Sequence, residues 1–149
     1  MELSALVRGK SVFIDTAPLI YFIEKNPKYH PILKPLIYQI DTMETKGLTS
    51  TITLLEVLVH PLREGNKNLA EKYKSILLAS NGLVTHEISH GISQKAAVLR
   101  AKYGFKTPDA VQLATALHHR ANYFLTNDSH LRKAIGIKVL ILDDYLQRT

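Results

Sequence analysis

The chain has 149 residues, a length that suits one domain with its own core. A 46% hydrophobic and 21% charged composition excludes wholesale disorder, and the absence of cysteine excludes disulfides and thiolate metal sites. Lys and Arg outnumber Asp and Glu by 19 to 13, a net charge of +6 that suits a polyanionic partner.

"MELSALVRGK" lacks the long apolar core of a secretion signal, and no apolar run approaches the ~18 residues of a membrane span. A reducing cytoplasmic location is expected, with no membrane contact.

"SVFID" reads as a short buried strand. The pattern from Thr16 to about Lys25 is helical, with Pro18 tolerated in the first turn. "NPKYHP" is a break. Leu33, Leu36, Ile37 and Ile40 recur at spacings of three and four, predicting a helix from Ile32 to about Lys46 that Gly47 ends. "GLTS" is a brief strand candidate. "STITLLEVLVHPLREG" reads as a helix with Ile52, Leu55, Leu58, Val59 and Leu62 on one side, its apolar face, ended or kinked at Pro61.

"NLAEKYKSILLAS" is a further amphipathic helix, closed by "NG". "LVTHEIS" is strand-like. "ISQKAAVLRAKYGF" aligns Ile92, Ala96, Leu99 and Tyr103 on one helical face. "TPDAVQLATALHHRA" is the clearest helix, with Thr107 as cap, Pro108 as first residue, and Ala110, Val111, Ala114 and Leu117 buried. "YFLTND" is a strand running into an acidic turn, and "KVLIL" is a last strand. Helices alternating with short apolar strands predict an α/β fold: a three-layer sandwich whose short, mostly parallel central sheet is flanked by helices, all in one domain spanning 1–149. Ligands gather at the carboxyl ends of strands in such sheets.

Four acids border apolar structure instead of charged faces: Asp15, Glu56, Asp109 and Asp128. Each has a plain structural reading. Asp15 suits a helix cap, Asp109 a first helical turn, and Asp128 a turn. Glu56 closes a capping box "TLLE" if Thr53 is the cap; otherwise it lies on the edge of its helix's apolar face, between Ile52 and His60. All four fall on one end of the predicted sheet. Carboxylates gathered within a few ångströms stay ionised only with a cation among them, and all-oxygen donors select Mg²⁺ or Mn²⁺. With four of 13 acids so committed, 19 bases face nine acids, a balance of +10 that suits a phosphate backbone.

"VFIDTAPLIYFIE", "STITLLEVL", "KTPDAVQLATAL" and "YFLTND" resemble, in order, the blocks of PIN-domain ribonucleases, and the small size resembles the VapC type of toxin. The resemblance implies a divalent-metal endoribonuclease in which Asp15, Glu56, Asp109 and Asp128 bind Mg²⁺ or Mn²⁺. Thr16, Thr126 and Asn127 take supporting positions, orienting ligands or waters. The resemblance further implies RNA as substrate, a homodimer and an antitoxin partner. Position 17 is Ala where the family often has a small polar residue. Lys106 and Arg132 are candidate phosphate contacts.

Two other readings keep the fold: a catalytically silent RNA-binding module, and a metal-dependent phosphohydrolase of small molecules using Asp15 as nucleophile. The intact acid set argues against the first. Ala17 argues against the second, which wants a further acid two residues after the nucleophile. Seven histidines invite a zinc reading, but "HEISH" reads as a strand entering a cap, where His86 and His90 do not converge.

Overall fold

A computed structural model describes residues 1–146. The elements run α1 (Leu3–Val7), β1 (Ser11–Ile14), α2 (Thr16–Ile23), α3 (His30–Asp41), β2 (Lys46–Ser50), α4 (Thr51–Arg63), α5 (Lys67–Ala79), β3 (Leu83–His86), α6 (His90–Tyr103), α7 (Thr107–His118), β4 (Tyr123–Thr126) and β5 (Lys138–Ile141). Short 3-10 turns cover Ser129–Lys133 and Leu142–Tyr145. The strands form one five-stranded sheet in the order β3-β2-β1-β4-β5, and every pairing is parallel. The mostly parallel sheet expected from the sequence is therefore wholly parallel.

Alternation along β1 builds both faces of the sheet. Val12 and Ile14 join one core with Leu3, Val7, Leu19, Leu33, Leu36, Val57 and Tyr73, beneath the first five helices. Phe13 points the other way, into a core with Ile92, Leu99, Leu113 and Ala114 from α6 and α7. There it stacks on Phe124, its register partner in β4, at 5.2 Å. Burial on both faces explains why these strands read as continuous apolar runs. Ala110, Ala114 and Ala116 on α7 are fully buried, and such short side chains let that helix lie close to the sheet.

The chain order creates a switch point. After β1, the connections step outward through β2 to β3; β4 then returns to the opposite side of β1. Adjacent parallel strands whose connections leave in opposite directions open a crevice at their carboxyl ends. Asp15 directly follows β1, and Asp128 stands two residues after β4.

Several boundaries differ from the sequence pattern. Helix α3 stops at Asp41, not near Lys46. Met43 adopts a left-handed conformation (φ 64°), and the Glu44 and Thr45 amides donate to the Gln39 carbonyl. Gly47 does not end that helix; it lies within β2. Helix α4 is capped by Ser50, whose hydroxyl accepts from the Ile52 amide, so the capping box on Thr53 does not form. The buried stripe of α4 is Thr53, Val57 and Pro61, while Leu55, Val59 and Leu62 are 61%, 43% and 61% exposed. Pro61 sits in the last turn. Lys106, not Thr107, is the cap position of α7.

One close approach fixes how α3 meets the sheet edge. A Cβ added to Gly82 would lie 1.8 Å from the Ile40 carbonyl oxygen, at the end of α3. The obstacle is backbone, so no rotamer change relieves it. Gly82→Ala is expected to lower unfolding free energy by ~1–3 kcal/mol or more, the cost of overpacking. Urea denaturation followed by circular dichroism checks this, and an unchanged midpoint contradicts the packing described.

Candidate active site

Asp15 enters the crevice because β1 ends at Ile14 and α2 begins at Thr16. Its carboxylate caps α2, accepting from the Thr16 amide at 2.8 Å through Oδ1. Oδ2 accepts from the Thr126 hydroxyl at the end of β4, also at 2.8 Å. The Gln112 amide, from α7, approaches Oδ1 at 3.4 Å. One carboxylate thus has donors from α2, α7 and β4, which fixes the plane of its side chain. Burial pushes its pKa up, opposed by these hydrogen bonds, and the Asp128 charge adds to the rise.

Glu56 stands on the second turn of α4 and is exposed to solvent. The Thr16 hydroxyl donates to its Oε1 at 2.7 Å, which ties it to the start of α2. Asp128 begins the 3-10 turn that follows β4. Its amide donates to the Thr126 hydroxyl at 3.2 Å, and its Oδ1 accepts from the His130 amide at 3.0 Å.

Asp109 lies in the first turn of α7. Its pKa is pushed up to about 6, first by burial and then by the negative charges of Asp15, Asp128 and Glu56; Lys106 opposes the rise. Asp109 therefore feels the charge of each of the other three acids.

Three of these acids also stand at starts of helical turns. Asp15 caps α2, Asp109 is in the first turn of α7, and Asp128 caps the 3-10 turn. Unpaired amides and the dipole at helix starts favour negative charge, which offsets part of the repulsion.

The remaining candidates divide. Thr16 and Thr126 contact the acids directly. The Asn127 side chain turns elsewhere: its amide donates to Tyr29 Oη at 3.1 Å, and its oxygen accepts from the Asp143 amide at 3.0 Å. Tyr29 in turn donates to Asp143 at 2.5 Å. Asn127 thus clamps the turn carrying Asp128 to the last strand's exit. Lys106 is exposed beside Asp109, whereas Arg132 is paired with Asp144 at 2.7 Å.

Gln112 was not visible as a site residue in the sequence. It is 1% exposed, and its amide also donates to Thr53 Oγ1 at 2.7 Å. A helical signal did exist: Asp109 and Gln112 are three apart and share a face.

Among the described residues, no three Asp, Glu or His side chains form a ready-made cage for an ion. Mg²⁺ does not require one, since it keeps several waters and uses one or two carboxylates with substrate phosphate. The donor set is all oxygen and is electrostatically strained without a cation, which fits such an ion. The histidines gather elsewhere: His86 stacks on His119 at 3.5 Å, and His118 meets His119 edge-on. Face-to-face rings do not point their nitrogens at a shared centre.

An all-parallel sheet with an acidic crevice at its switch point defines an α/β protein of the PIN type. The chain belongs to the PIN domain family, whose model matches residues 12–136. In fold it is similar to a chain of a toxin-antitoxin complex from Klebsiella pneumoniae (24% identity, TM-score 0.67, covering 88% of this chain and 97% of that one). It is similar to VapBC2 from Rickettsia felis bound to a DNA fragment from their promoter (16% identity, TM-score 0.70, 88% and 98% covered). It is also similar to VapC20 from Mycobacterium tuberculosis, a sarcin-ricin loop cleaving toxin (14% identity, TM-score 0.68, 86% and 98% covered). No curated protein matches the chain.

The raised pKa of Asp109 has a consequence for stability. Its carboxyl takes a proton more readily folded than unfolded. Its contribution therefore turns unfavourable as pH rises from its ordinary value of 3.8 through about 6, and stays unfavourable above. In chelator at pH 7.5, Asp109→Asn is expected to raise Tm by about 2–4 °C, the effect of removing ~1 kcal/mol from a chain of this size. At pH 4.5, where the native side chain is already protonated, the gain should vanish. Thermal melts at both pH values check this; an equal shift at each contradicts it.

Proposed function

We propose that this PIN protein is a divalent-metal-dependent endoribonuclease of the VapC toxin type, working in the cytoplasm as a single domain. The observation that carries the reading is that Asp109, partly buried at the start of α7, lies under the charges of Asp15, Asp128 and Glu56, while Thr16 at the start of α2 and Thr126 at the end of β4 hold Asp15 and Glu56. Asp15, Glu56, Asp109 and Asp128 would hold Mg²⁺ or Mn²⁺, which when bound would supply charge neutralisation and water activation for phosphodiester hydrolysis.

The chain's own residues do the positioning. Asp15 presents a carboxylate whose orientation is set by Thr16 and Thr126. Glu56, tied through one oxygen to Thr16, keeps its other oxygen free among the described residues. Asp109 and Asp128 complete the acidic wall, and Asn127 holds the turn that carries Asp128. Lys106, exposed and close enough to act on Asp109, is proposed to meet a substrate phosphate. The net charge of +6 favours association with RNA and makes it salt-dependent.

The partners follow from the relatives. An antitoxin protein is proposed because solved structures of this fold include a toxin-antitoxin complex and a VapBC assembly, and a homodimer because the sequence resemblance implies one. RNA is proposed because one of them is a loop-cleaving toxin.

The test compares cleavage of a structured RNA by the parent and by Asp15→Asn, with Mg²⁺, with Mn²⁺ and with chelator. The parent is expected to cleave only with metal, and the variant to lose about 1,000-fold, the equivalent of ~4 kcal/mol of transition-state stabilisation. Equal cleavage by both proteins would exclude the mechanism. Metal-dependent phosphate release from small esters with RNA untouched would replace it with a phosphohydrolase.

A further inference from the structure

The hydroxyls and amide around Asp15 form one directed chain. Asp15 accepts only, so the face of Gln112 turned toward it must be the amide nitrogen, which fixes which end of the carboxamide is which. The Gln112 oxygen then faces the Ser50 hydroxyl, which donates to it while accepting from the Ile52 amide. The Gln112 nitrogen spends one hydrogen on Asp15 and the other on Thr53 Oγ1, at 2.7 Å. Thr16 commits its only hydroxyl hydrogen to Glu56, so the hydrogen between the two threonines comes from Thr53, whose Oγ1 lies 3.2 Å from Thr16 Oγ1. Thr16 passes its hydrogen to Glu56 at 2.7 Å.

Every donor points the same way, from Ser50 through Gln112, Thr53 and Thr16 to Glu56, with a branch from Gln112 to Asp15. Ser50, Thr53 and Gln112 are each at most 1% exposed, so water cannot readily substitute for a missing link. Ser50 ends β2, Thr53 and Glu56 belong to the first two turns of α4, Gln112 to α7 and Thr16 to α2. Gln112 is the junction: its loss breaks both the Asp15 branch and the Glu56 branch.

We propose that Gln112 is a positioning residue for the cation site: its carboxamide sets the aim of Asp15 and, through Thr53 and Thr16, that of Glu56. The inference rests on the metal-dependent reading above. A carboxylate held in one orientation binds an ion without first losing rotamer freedom, and breaking such outer contacts typically weakens metal affinity or activity by 10–100-fold.

The test uses Gln112→Met, which keeps the length of the side chain and removes its polar ends, and Thr53→Val, which cuts the chain on the Glu56 side alone. Mn²⁺ binding is measured by calorimetry on the parent, both variants and Asp15→Asn, alongside Tm and RNA cleavage. Gln112→Met is expected to weaken Mn²⁺ binding by ~10-fold or more and to lower kcat, with KM for RNA within about twofold of the parent. Thr53→Val should weaken Mn²⁺ binding less, and it carries the test if Gln112→Met does not fold. A structural role alone would lower Tm and leave Mn²⁺ affinity unchanged in the folded variants; that result overturns the proposal. If Asp15→Asn weakens Mn²⁺ binding while both other variants bind like the parent, the positioning role fails and the metal site stands. If the parent binds no Mn²⁺, both fall.

Discussion

Repulsion among carboxylates in a half-buried crevice is the constraint around which this fold is arranged. Burial first, and then the negative charges of Asp15, Asp128 and Glu56, push the Asp109 pKa up to about 6. The fold tolerates these acids through three devices. Helical starts point amides at Asp15 and Asp128. Buried hydroxyls and one carboxamide hold Asp15 and Glu56. The rigid sheet prevents the groups from drifting apart: Phe13 stacked on Phe124 pins β1 to β4 just below the site.

The same constraint explains where polar residues are buried. Thr49, Ser50, Thr53, Gln112 and Thr126 are essentially inaccessible, and each finds a hydrogen-bond partner among the groups around the cleft or the strand ends. Removing one partner strands another buried group, which costs more than the bond itself is worth. The polar layer is therefore interdependent, and its geometry is transmitted to the carboxylates that border it.

Much of this was legible in the chain. A lone acid after an apolar strand, as at Asp15, and an acid behind Thr-Pro at a helix start, as at Asp109, are local patterns with local causes. Strands buried on both faces announced themselves as apolar runs. What escaped was whatever depended on a distant partner. Gln112 reads as an ordinary helix residue until Ser50 and Thr53, far away in sequence, supply its contacts. The buried face of α4 escaped for the same reason: Thr53 is buried because Gln112 satisfies it, while Leu55 and Leu62 are left exposed. The end of α3 escaped because a left-handed Met43, not a glycine, turns the chain.

The central claim is that these four carboxylates share a divalent cation. Crystals soaked in Mn²⁺ and measured for anomalous scattering test it most directly. The account predicts a peak within coordinating or water-bridged distance of Asp15 and at least one of Glu56, Asp109 and Asp128, lost in crystals of Asp15→Asn. Saturating Mn²⁺ that leaves the crevice without a peak, or that binds only at the His86–His119 stack, would contradict it.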